Sequence, residues 1–368
     1  MSLSRTAVEP SALRRLLTPL INPAVFDFWV SKINPAWSWE RSLARVVARK
    51  QEAADTVTLV LAPNANCGGF QAGQHINVTA EINGRRTTRS YSLSDAPRAD
   101  GRLSITVKLT EGGVMSTHLC QHLQVGDVLE LGEAFGDMTL PAQPQGSWLL
   151  LAAGSGITPM MSLIRAQRDA GFTAPITLIY WVKTRAELCF VDELRGLAQQ
   201  FAHFQFQPVL THEATLQAGE AQGFISLSQL QHIVPDLRAR DVYACGPAGF
   251  VEAARDLSTG HMRSFKSEGF TPPTLAKVEA AATATVRVHL ARSGKDLEVP
   301  TTLSLLDALE AQGFKPRSGC RMGVCHTCSC TRTAGTTLDM QSGQQSGEPG
   351  IDVRLCMCTA RTDLTLDL

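Results

Sequence analysis

Four cysteines near the C-terminus have a spacing that suits iron–sulfur chemistry. Cys320, Cys325 and Cys328 form a C-x4-C-x2-C run, and Cys356 follows at a distance. Plant-type loops hold a [2Fe–2S] cluster with this spacing. Structural zinc is the alternative, but zinc sites favour paired C-x2-C knuckles, and here the first gap is four residues. The sequence therefore predicts a [2Fe–2S] cluster, which carries one electron at a time.

The choice of the fourth cysteine stays open on the residues alone. The run Leu355-Cys356-Met357-Cys358 offers two thiols, and Cys330 is also spare. Residue periodicity does not distinguish them. Ser318-Gly319 and Gly323 supply the backbone freedom that a tight cysteine loop needs.

The run Arg89-Ser90-Tyr91-Ser92 follows a predicted strand and a polar turn, and its residue types could bind a flavin. Arginine grips a phosphate with a fork of donors, and tyrosine offers a flat face to the isoalloxazine ring. The small hydroxyl of Ser92 could hydrogen-bond near flavin N5, where hydride arrives. The alternative is an ordinary strand end with a satisfied tyrosine.

A glycine-rich turn some twenty residues later could hold a pyrophosphate. Gly112 and Gly113 precede Val114-Met115-Ser116-Thr117. Flexible backbone followed by hydroxyls at a helix start makes a good phosphate cradle. The alternative is a glycine turn with a serine or threonine N-cap.

The run from Gly154 to Pro159 could bind the phosphates of a nicotinamide coenzyme. It reads Gly154-Ser155-Gly156-Ile157-Thr158-Pro159, follows an apolar strand and opens a helix. The glycines let backbone N–H groups approach a phosphate, the helix N-terminus favours negative charge, and proline suits the first turn. The run is not the full G-x-G-x-x-G fingerprint, and a G-x-G pair alone is weak evidence.

A later predicted strand ends at Cys245-Gly246-Pro247. The glycine lets a ligand come close, and the Cys245 side chain could contact the nicotinamide during hydride transfer. The alternative is an inert buried cysteine, which is common.

Lys183 and Arg185 follow the second strand of the same unit. A basic residue there suits a 2′-phosphate, whereas an acid would hold a free ribose 2′-hydroxyl. No acid occurs in this segment before Glu187. The pair favours NADPH slightly, because exposed basic side chains are usually only solvated.

The elements that must position these residues divide the chain into five predicted parts. A leader covers residues 1–40, an antiparallel flavin-binding barrel 41–142, and a parallel α/β nucleotide domain 143–265. A linker with Pro272-Pro273 covers 266–284, and an iron–sulfur domain covers 285–368. The predicted strands are Thr56–Leu61, His75–Ala80, Leu103–Lys108, Trp148–Ala153, Ile176–Val182 and Asp241–Ala244, and the predicted helices are Met160–Ala170 and Leu303–Gln312.

The leader combines a short apolar pattern, Leu13 to Ile21, with an aromatic cluster that runs from Phe26 to Trp39. One interpretation is a segment that packs onto the body of the protein. The other is a contact with a membrane surface or a partner. The first is favoured, because a basic polar face is nearly absent beyond Arg14 and Arg15.

Composition narrows the functional class. The chain has 368 residues, 44% hydrophobic and 18% charged, as expected for a globular protein of two or three domains. Its 34 basic and 34 acidic residues argue against nucleic acid as a partner. Six of its ten cysteines lie between residues 320 and 358, which suggests metal binding in a reducing compartment. No signal peptide or unbroken apolar span is visible, so the expectation is a cytoplasmic protein without a transmembrane segment.

Taken in order, these motifs resemble the ferredoxin–NADP reductase superfamily, in its form with a C-terminal plant-type ferredoxin domain. The matching segments are Arg89-x-Tyr91-Ser92, Gly154 to Pro159, Cys245-Gly246-Pro247 and the cysteine loop. The resemblance covers nearly the whole chain. It implies a multidomain fold: an antiparallel β-barrel for flavin, an α/β parallel-sheet nucleotide domain, and an α+β domain of the β-grasp type for the cluster.

Two further elements resemble bacterial reductases that supply membrane fatty-acid desaturases and related diiron enzymes. They are Ile33-Asn-Pro-Ala-Trp37 in the leader and Gly323 to Cys328 in the cysteine loop. In that group the last ligand lies seven residues before an Asp that opens the final strand, and Cys356 stands in this relation to Asp363. The resemblance therefore implies Cys356 as the fourth ligand rather than Cys358. One departure is Thr359-Ala360-Arg361, where the group often has a proline.

The resemblance implies an electron-transfer reductase component. NAD(P)H would pass hydride to a flavin, FAD rather than FMN because of the Gly112–Thr117 segment, and the cluster would pass single electrons to a partner protein. Arg89 and Ser116 would anchor phosphates, Tyr91 would pack on the ring, and Ser92 with Cys245 would line the hydride path. The expected partner is a membrane desaturase or related diiron enzyme. The alternatives are a ring-hydroxylating or cytochrome P450 acceptor, a small substrate reduced directly, and a non-enzymatic scaffold.

Overall fold

Six strands between residues 43 and 135 form an antiparallel sheet with the order β4-β3-β6-β1-β2-β5. The computed structural model describes residues 22–141, 144–270, 284–321, 323, 325–340 and 343–368. A bridge between Leu93, just after β4, and Ile105 in β5 joins the two edges of the sheet. The strands are β1 (Leu43–Ala53), β2 (Thr56–Pro63), β3 (His75–Ile82), β4 (Arg85–Ser92), β5 (Leu103–Lys108) and β6 (Val128–Phe135).

The barrel closes because each strand turns apolar side chains inward. Leu59 and Leu61 of β2, Val78 of β3 and Ile105 of β5 are fully buried in one core. Alternation of this kind places one face of every strand inside the barrel. The outward and terminal positions are left for polar groups, including the predicted flavin residues at the end of β4.

A second sheet, between residues 147 and 269, has the order β10-β9-β8-β7-β11-β12. Parallel pairing joins β7 to β8, β8 to β9, β9 to β10 and β7 to β11. The elements are β7 (Ser147–Ala153), α3 (Ile157–Asp169), β8 (Ile176–Val182), α4 (Val191–Gln200), β9 (Phe204–Leu210), β10 (Ala221–Gln222), α5 (Leu227–Ile233), β11 (Arg240–Gly246), α6 (Ala248–Ser258) and β12 (Ser264–Gly269). The earlier helices are α1 (Pro23–Val30) and α2 (Val114–Thr117).

The order of this sheet defines where a ligand should bind. The chain leaves β7 toward β8, β9 and β10 on one side, and later returns to place β11 on the other side of β7. Open α/β sheets bind ligands at the carboxyl ends of strands where the order reverses in this way. Both predicted coenzyme motifs, after β7 and at the end of β11, stand at this point.

The C-terminal part holds a five-stranded sheet of order β14-β13-β20-β15-β18 and a three-stranded sheet of order β17-β16-β19. Leu305, Leu306 and Leu309 of α7 pack on buried residues of the larger sheet. The elements are β13 (Thr285–Leu290), β14 (Lys295–Pro300), α7 (Leu305–Ala311), β15 (Ser329–Ala334), β16 (Thr337–Asp339), β17 (Gln345–Ser346), β18 (Ile351–Arg354), β19 (Cys358–Ala360) and β20 (Leu364–Leu366). Residues Met1–Glu268 and Gly269–Leu368 form two separate compact units.

The linker prediction needs a correction at its start. Residues 264–269 form β12, which lies beside β11 at the edge of the nucleotide sheet. The sequence Ser264-Phe-Lys-Ser-Glu-Gly269 is too polar to be recognised as a strand, and pairing with the sheet decides its structure. Residues 271–283, which include Pro272-Pro273, lie outside the described residues.

The leader has one described helix, α1, which Asn22 caps by accepting the N–H groups of Ala24 and Val25. The Phe26 ring packs edge-on against Trp39 at 5.0 Å. The predicted apolar pattern from Leu13 to Ile21 lies outside the described residues.

Candidate functional site

Ser92 ends β4 with a buried and unsatisfied hydroxyl. It lies opposite His75 of β3 in the antiparallel register, is only 4% exposed, and its Oγ has no hydrogen-bond partner among the described residues. A buried hydroxyl without a partner is costly, so such groups usually await a ligand or water. The site fits a flavin in this respect, because a bound ring could supply the missing partner.

Tyr91 is half-buried against the core of the barrel. Burial raises its pKa, and the nearby Cys120 thiol raises it further, so the phenol stays neutral. A neutral aromatic ring at the barrel surface can stack on a planar ligand.

Arg89 and Ser90 precede Tyr91 and differ in availability. Arg89 is exposed, gives one guanidinium hydrogen bond to Thr88 O at 2.8 Å, and pairs with no carboxylate in the described ranges. The hydroxyl of Ser90 donates to the side chain of Asn77 on β3. Arg89 is therefore available for a phosphate, whereas Ser90 helps to hold the two strands together.

The glycine turn before α2 is fixed by close packing. A Cβ on Gly113 would lie 2.5 Å from Ser116 Oγ, and Gly112 has a φ of +68°. The Ser116 hydroxyl accepts the Thr110 N–H at 3.1 Å and donates to Gly113 O at 3.1 Å. Ser116 thus stabilises the turn, and the N–H groups at the start of α2 (Val114, Met115) are better placed to meet a phosphate.

This turn borders an open cleft of about 620 Å³. The opposite wall is the β3–β4 turn, and the floor continues into the helical turn after α2. A cleft of this size can take the adenosine half of a dinucleotide. The lining residues are Glu81, Ile82, Asn83, Gly112, Gly113, Val114, Thr117, His118 and His122.

Side chains of α3 join the barrel to the nucleotide sheet. The Ser162 hydroxyl donates to Asp95 O at 2.6 Å. Arg165 donates to Ser94 O at 2.7 Å and grips Glu193 with two N–H groups at 2.9 and 2.6 Å. The predicted hydride donor and acceptor sites therefore belong to one compact unit.

The two predicted coenzyme-binding motifs, after β7 and at the end of β11, are in contact, and each has a glycine at the contact. A Cβ on Gly156 would lie 2.0 Å from Cys245 O, and one on Gly246 would lie 2.9 Å from Ala153 Cβ. Larger residues at either position would force the ends of β7 and β11 apart. The turn Gly154–Gly156 thus lies directly beside Cys245-Gly246.

Thr158 and Pro159 are placed inside the first turn of α3, and both are buried. The Thr158 hydroxyl donates to Ser155 O at 2.9 Å. These residues shape the turn, while Gly154 and Ser155 form its more accessible part. Pro247 caps the start of α6.

Cys245 has no exposed surface, and burial raises its pKa well above the ordinary value. The second contribution to this shift comes from Glu268 of β12. Glu268 Oε2 also lies 3.1 Å from Nε2 of His75. A thiol buried in this way stays neutral and adds no charge next to the predicted nicotinamide site.

His75 and Glu268 are residues that the sequence interpretation missed. Opposite residues of an antiparallel pair share a face, so His75 stands beside the unsatisfied Ser92. Glu268 brings the end of β12 to the same place. The pair thus connects β3 of the barrel to β12, the strand that lies beside β11 and Cys245.

Lys183 and Arg185, the pair predicted to select the coenzyme, lie in different environments. Arg185 donates to Glu220 at 2.7 and 2.6 Å, and its backbone N–H donates to Glu213 at 2.8 Å. The Arg185 hydrogen bond lowers the pKa of Glu220 to about 2. Lys183 is exposed and has no ion pair among the described residues. A 2′-phosphate would meet Lys183 as a free cation but Arg185 as an already paired one.

In the C-terminal unit, the four predicted ligands lie in two pairs. The Cys320 N–H donates to Cys325 Sγ at 3.2 Å, and the Cys325 N–H donates to Cys320 Sγ at 3.4 Å. Cys328 Sγ and Cys356 Sγ are 3.2 Å apart. Two irons that each take two thiolates fit this donor set.

Hydrogen bonds prepare two of these thiols for metal binding. The Cys320 side chain, with backbone N–H groups, lowers the pKa of Cys325 to about 5. The Cys356 thiol likewise lowers the pKa of Cys328 to about 7, and the shared proton raises that of Cys356. Metal ligands must be thiolates, so the environments of Cys325 and Cys328 favour binding, whereas Cys356 must lose the shared proton when metal binds.

Two arginines that the sequence interpretation missed hold the loop. Arg321 has a φ of +58° and grips Glu310 of α7 at 2.6 and 2.8 Å. Arg354 donates to Gly323 O at 2.9 Å and to Asp339 at 2.9 Å. A Cβ on Gly323 would lie 2.4 Å from Met357 Cγ, so the loop is packed as well as bonded.

The spare cysteines have a different character. Cys330 lies within β15 and Cys358 within β19, and both are buried. Burial raises the pKa of each to about 11. Among the described contacts, neither thiol is hydrogen-bonded to Cys328, whereas Cys356 Sγ lies 3.2 Å from Cys328 Sγ.

No helix in the described part of the chain has the length and apolar character needed to cross a bilayer.

An antiparallel barrel, a nucleotide-binding sheet and a cysteine loop of this kind define a flavin- and nicotinamide-dependent oxidoreductase with an iron–sulfur domain. Family models agree in order: an oxidoreductase FAD-binding domain matches residues 43–139, an oxidoreductase NAD-binding domain 150–256, and a 2Fe-2S iron-sulfur cluster binding domain 288–361. The chain therefore belongs to the ferredoxin–NADP reductase superfamily, in its form with a C-terminal [2Fe–2S] domain.

Individual relatives extend over most of the chain. An NADPH oxidoreductase of Mycobacterium tuberculosis is 32% identical over 363 residues, which cover 97% of this chain and 92% of the relative. The ferredoxin reductase component of a 3-ketosteroid-9-alpha-monooxygenase from the same species is 35% identical over 280 residues, 72% of this chain and 75% of the relative. The solved structure of phthalate dioxygenase reductase matches with a TM-score of 0.58 and 26% identity, over 89% of this chain and 97% of that one.

Proposed function

We propose that this chain is the reductase component of an oxygenase system. When bound, FAD accepts hydride from NAD(P)H, and the [2Fe–2S] cluster passes electrons singly to a partner protein. The observation that carries the proposal is the contact between His75, which lies opposite the unsatisfied Ser92, and Glu268 of β12, the strand beside β11 and Cys245. The relatives named for monooxygenase and dioxygenase systems support an oxygenase as the acceptor.

The residues of the chain have separate tasks in this proposal. Arg89 and the N–H groups at the start of α2 bind the flavin phosphates, and Tyr91 packs on the ring. Ser92 supplies a hydroxyl for the ring edge in a place that excludes water. Cys245 lines the hydride path as a neutral thiol, and Cys320, Cys325, Cys328 and Cys356 hold the iron.

The finer proposal is that the acceptor is a membrane fatty-acid desaturase or a related diiron enzyme, reached from the cytoplasm. It rests on Ile33-Asn-Pro-Ala-Trp37 and on the Gly323–Cys328 loop, which resemble reductases of that group. We also propose that the protein slightly prefers NADPH to NADH. This preference depends on Lys183, because Arg185 is paired with Glu220.

An anaerobic titration tests the proposed route. Purified protein should show flavin and [2Fe–2S] absorbance, NAD(P)H should bleach both, and the protein should then reduce cytochrome c. Cys356→Ser should lose cytochrome c reduction and keep the NAD(P)H-driven reduction of ferricyanide. Full cytochrome c reduction by the cluster-free variant would show that the cluster is not the outlet.

A further inference from the structure

A fully buried arginine lies on β15 of the iron–sulfur unit. Arg332 is 0% exposed, and its side chain is the largest fully buried one in the described residues. Arginine is seldom buried completely unless a carboxylate pairs with it. Arg332 forms no ion pair in the described part of the chain, so its positive charge lies in the interior without a counter-ion.

Neutral oxygens hold this guanidinium in place. Nη1 donates to the Thr337 hydroxyl at 2.7 Å and to the Ser346 carbonyl, and Nη2 donates to the Ser346 hydroxyl at 3.1 Å and to the Glu348 carbonyl. Nε is buried and has no hydrogen-bond partner among the described residues. Apolar side chains that replace buried ionic groups are often neutral or stabilising, so packing alone does not explain a buried charge here.

Arg332 faces the core that contains two of the predicted cluster ligands. Alternate residues of a strand share a face, so Arg332 lies on the same side of β15 as the buried Cys330. Cys330 belongs to one apolar core together with Cys328 and Cys356. β15 begins directly after Cys328, and Arg332 is four residues beyond that ligand.

The hydrogen bond to Thr337 leads to the strand that follows the other ligand. Thr337 of β16 pairs with Ala360 of β19, and Ala360 is four residues beyond Cys356. The Sγ atoms of Cys328 and Cys356 are 3.2 Å apart. Four residues of extended chain span at most about 14 Å, so the backbone of Arg332 and that of Ala360 each lie within this distance of a ligand.

A buried cation at this distance affects electron uptake by the ligand site. Four thiolates make a [2Fe–2S] centre dianionic when it is oxidised, and one electron adds a further negative charge. The charges and hydrogen bonds around such a centre set its reduction potential. Charges in an apolar core are screened much less than charges at the surface, so the guanidinium attracts the added electron.

We propose that Arg332 is a fixed cation that raises the reduction potential of the [2Fe–2S] cluster. Its charge favours the step in which one electron leaves the reduced flavin, which is oxidised, and enters the cluster, which is reduced. The inference rests on the cluster site of the proposed function, and it does not depend on the identity of the electron acceptor.

A redox titration of the full-length holoprotein tests this role. Electron paramagnetic resonance follows the reduced cluster separately from the flavin. At a fixed solution potential, Arg332→Gln should lower the ratio of reduced to oxidised cluster by about threefold to tenfold. A tenfold change corresponds to about 59 mV for a one-electron couple.

A matched pair of variants at Thr337 tests the charge while Arg332 is kept. Thr337→Asp places a carboxylate against the guanidinium, and it should lower the ratio in the same direction as Arg332→Gln. Thr337→Asn has nearly the same shape without the charge, and it should leave the ratio unchanged. This pair decides the question if Arg332→Gln does not fold.

Arg292→Gln is the control for the loss of one positive charge. The Arg292 side chain is 71% exposed and pairs with Asp367, so water and salt screen it. This variant should keep the wild-type potential. Iron content and thermal unfolding of every variant show whether it is folded and loaded.

Two results would overturn the inference. One is an Arg332→Gln protein that loads its cluster and keeps the wild-type potential, even if it unfolds at a lower temperature. The other is an equal potential in Thr337→Asp and Thr337→Asn. Either result would show that Arg332 only holds the segment at residues 346–348. A wild-type protein without a [2Fe–2S] signal would instead contradict the proposed function.

Discussion

Cys245 and Cys325 are the same residue type in opposite environments. Cys245 sits between β7 and β12 with no exposed surface, and burial raises its pKa far above the usual range. Cys325 accepts a backbone N–H in a tight loop, and the bond with the Cys320 side chain lowers its pKa to about 5. The two environments therefore favour a neutral thiol at Cys245 and a thiolate at Cys325.

The difference comes from the backbone around each thiol. Cys245 lies near the end of β11 in the middle of a sheet, and there burial outweighs the backbone hydrogen bond from Gly246, which acts to lower the pKa. The cysteine loop has left-handed residues at Arg321, Gly323 and His326, so its N–H groups can turn toward sulfur. Strained backbone of this kind is kept where function needs it.

The largest expected effect is the loss of the iron–sulfur cluster when the fourth ligand, Cys356, is replaced. Cys356→Ser should abolish the [2Fe–2S] absorbance and the bound iron while flavin stays, because Cys356 is paired with Cys328. Cys358→Ser is the matched control, since this thiol is buried in β19 with a pKa raised to about 11 by burial. Equal iron loss in both variants would contradict the assignment.

The next effect concerns the unsatisfied hydroxyl of the barrel. Ser92→Ala should slow hydride transfer from NAD(P)H by about tenfold to a hundredfold, because a hydrogen bond to the reacting ring is lost. Stopped-flow bleaching of the flavin measures this rate.

Ser94→Ala is the control for Ser92→Ala. Ser94 is also buried, but its hydroxyl is used inside the barrel by Thr106, at 2.9 Å. Its loss should lower stability by about 1 kcal/mol and leave the hydride rate unchanged. A hydride rate that falls equally in both variants would remove the role given to Ser92.

The sequence predicts those parts of the fold that depend on neighbouring residues in the chain, and misses those that depend on distant contacts. Strands Leu103–Lys108 and Ile176–Val182 were predicted with the observed bounds, because apolar residues alternate with polar ones in the first and apolar and β-branched residues run continuously in the second. The polar strand β12 was missed, since its structure comes from pairing with β11. Local patterns carry local structure, whereas edge strands depend on their neighbours.

The same limit applies to the site. The cysteine loop and the run Arg89–Ser92 are local motifs, and their interpretation as cofactor sites followed from spacing. His75 and Glu268 lie 193 residues apart in the sequence, and nothing in either segment indicates that they meet. Likewise, no pattern near Arg185 shows that Glu213 and Glu220 will reach it.

A smaller effect tests the packing of the cysteine loop. Gly323→Ala meets both a φ of +76° and a Cβ contact of 2.4 Å with Met357, so it should cost about 1–3 kcal/mol and lower cluster occupancy. Gly343→Ala is the matched control, because its φ is +70° but nothing lies within 4 Å of its Cβ. Comparison of iron content and thermal unfolding in the two variants separates the contact from the backbone strain. Equal losses would show that only the backbone conformation matters.

The smallest expected effect is that of Arg185→Ala, which tests both the stability of the Arg185–Glu220 pair and the preference for NADPH over NADH. Hydrogen bonding to Arg185 lowers the pKa of Glu220 from 4.5 to about 2, so the pair stabilises the fold above pH 4.5 and loses this contribution as the pH falls toward 2. Thermal unfolding of Arg185→Ala should therefore differ from the wild type at neutral pH and converge with it in acid.

Because Arg185 is already paired, this variant should keep the NADPH-to-NADH preference, and Lys183→Ala should reduce it. If Arg185→Ala alone removed the preference, the guanidinium would have to leave Glu220 for the coenzyme, and the paired arrangement would describe only the coenzyme-free protein.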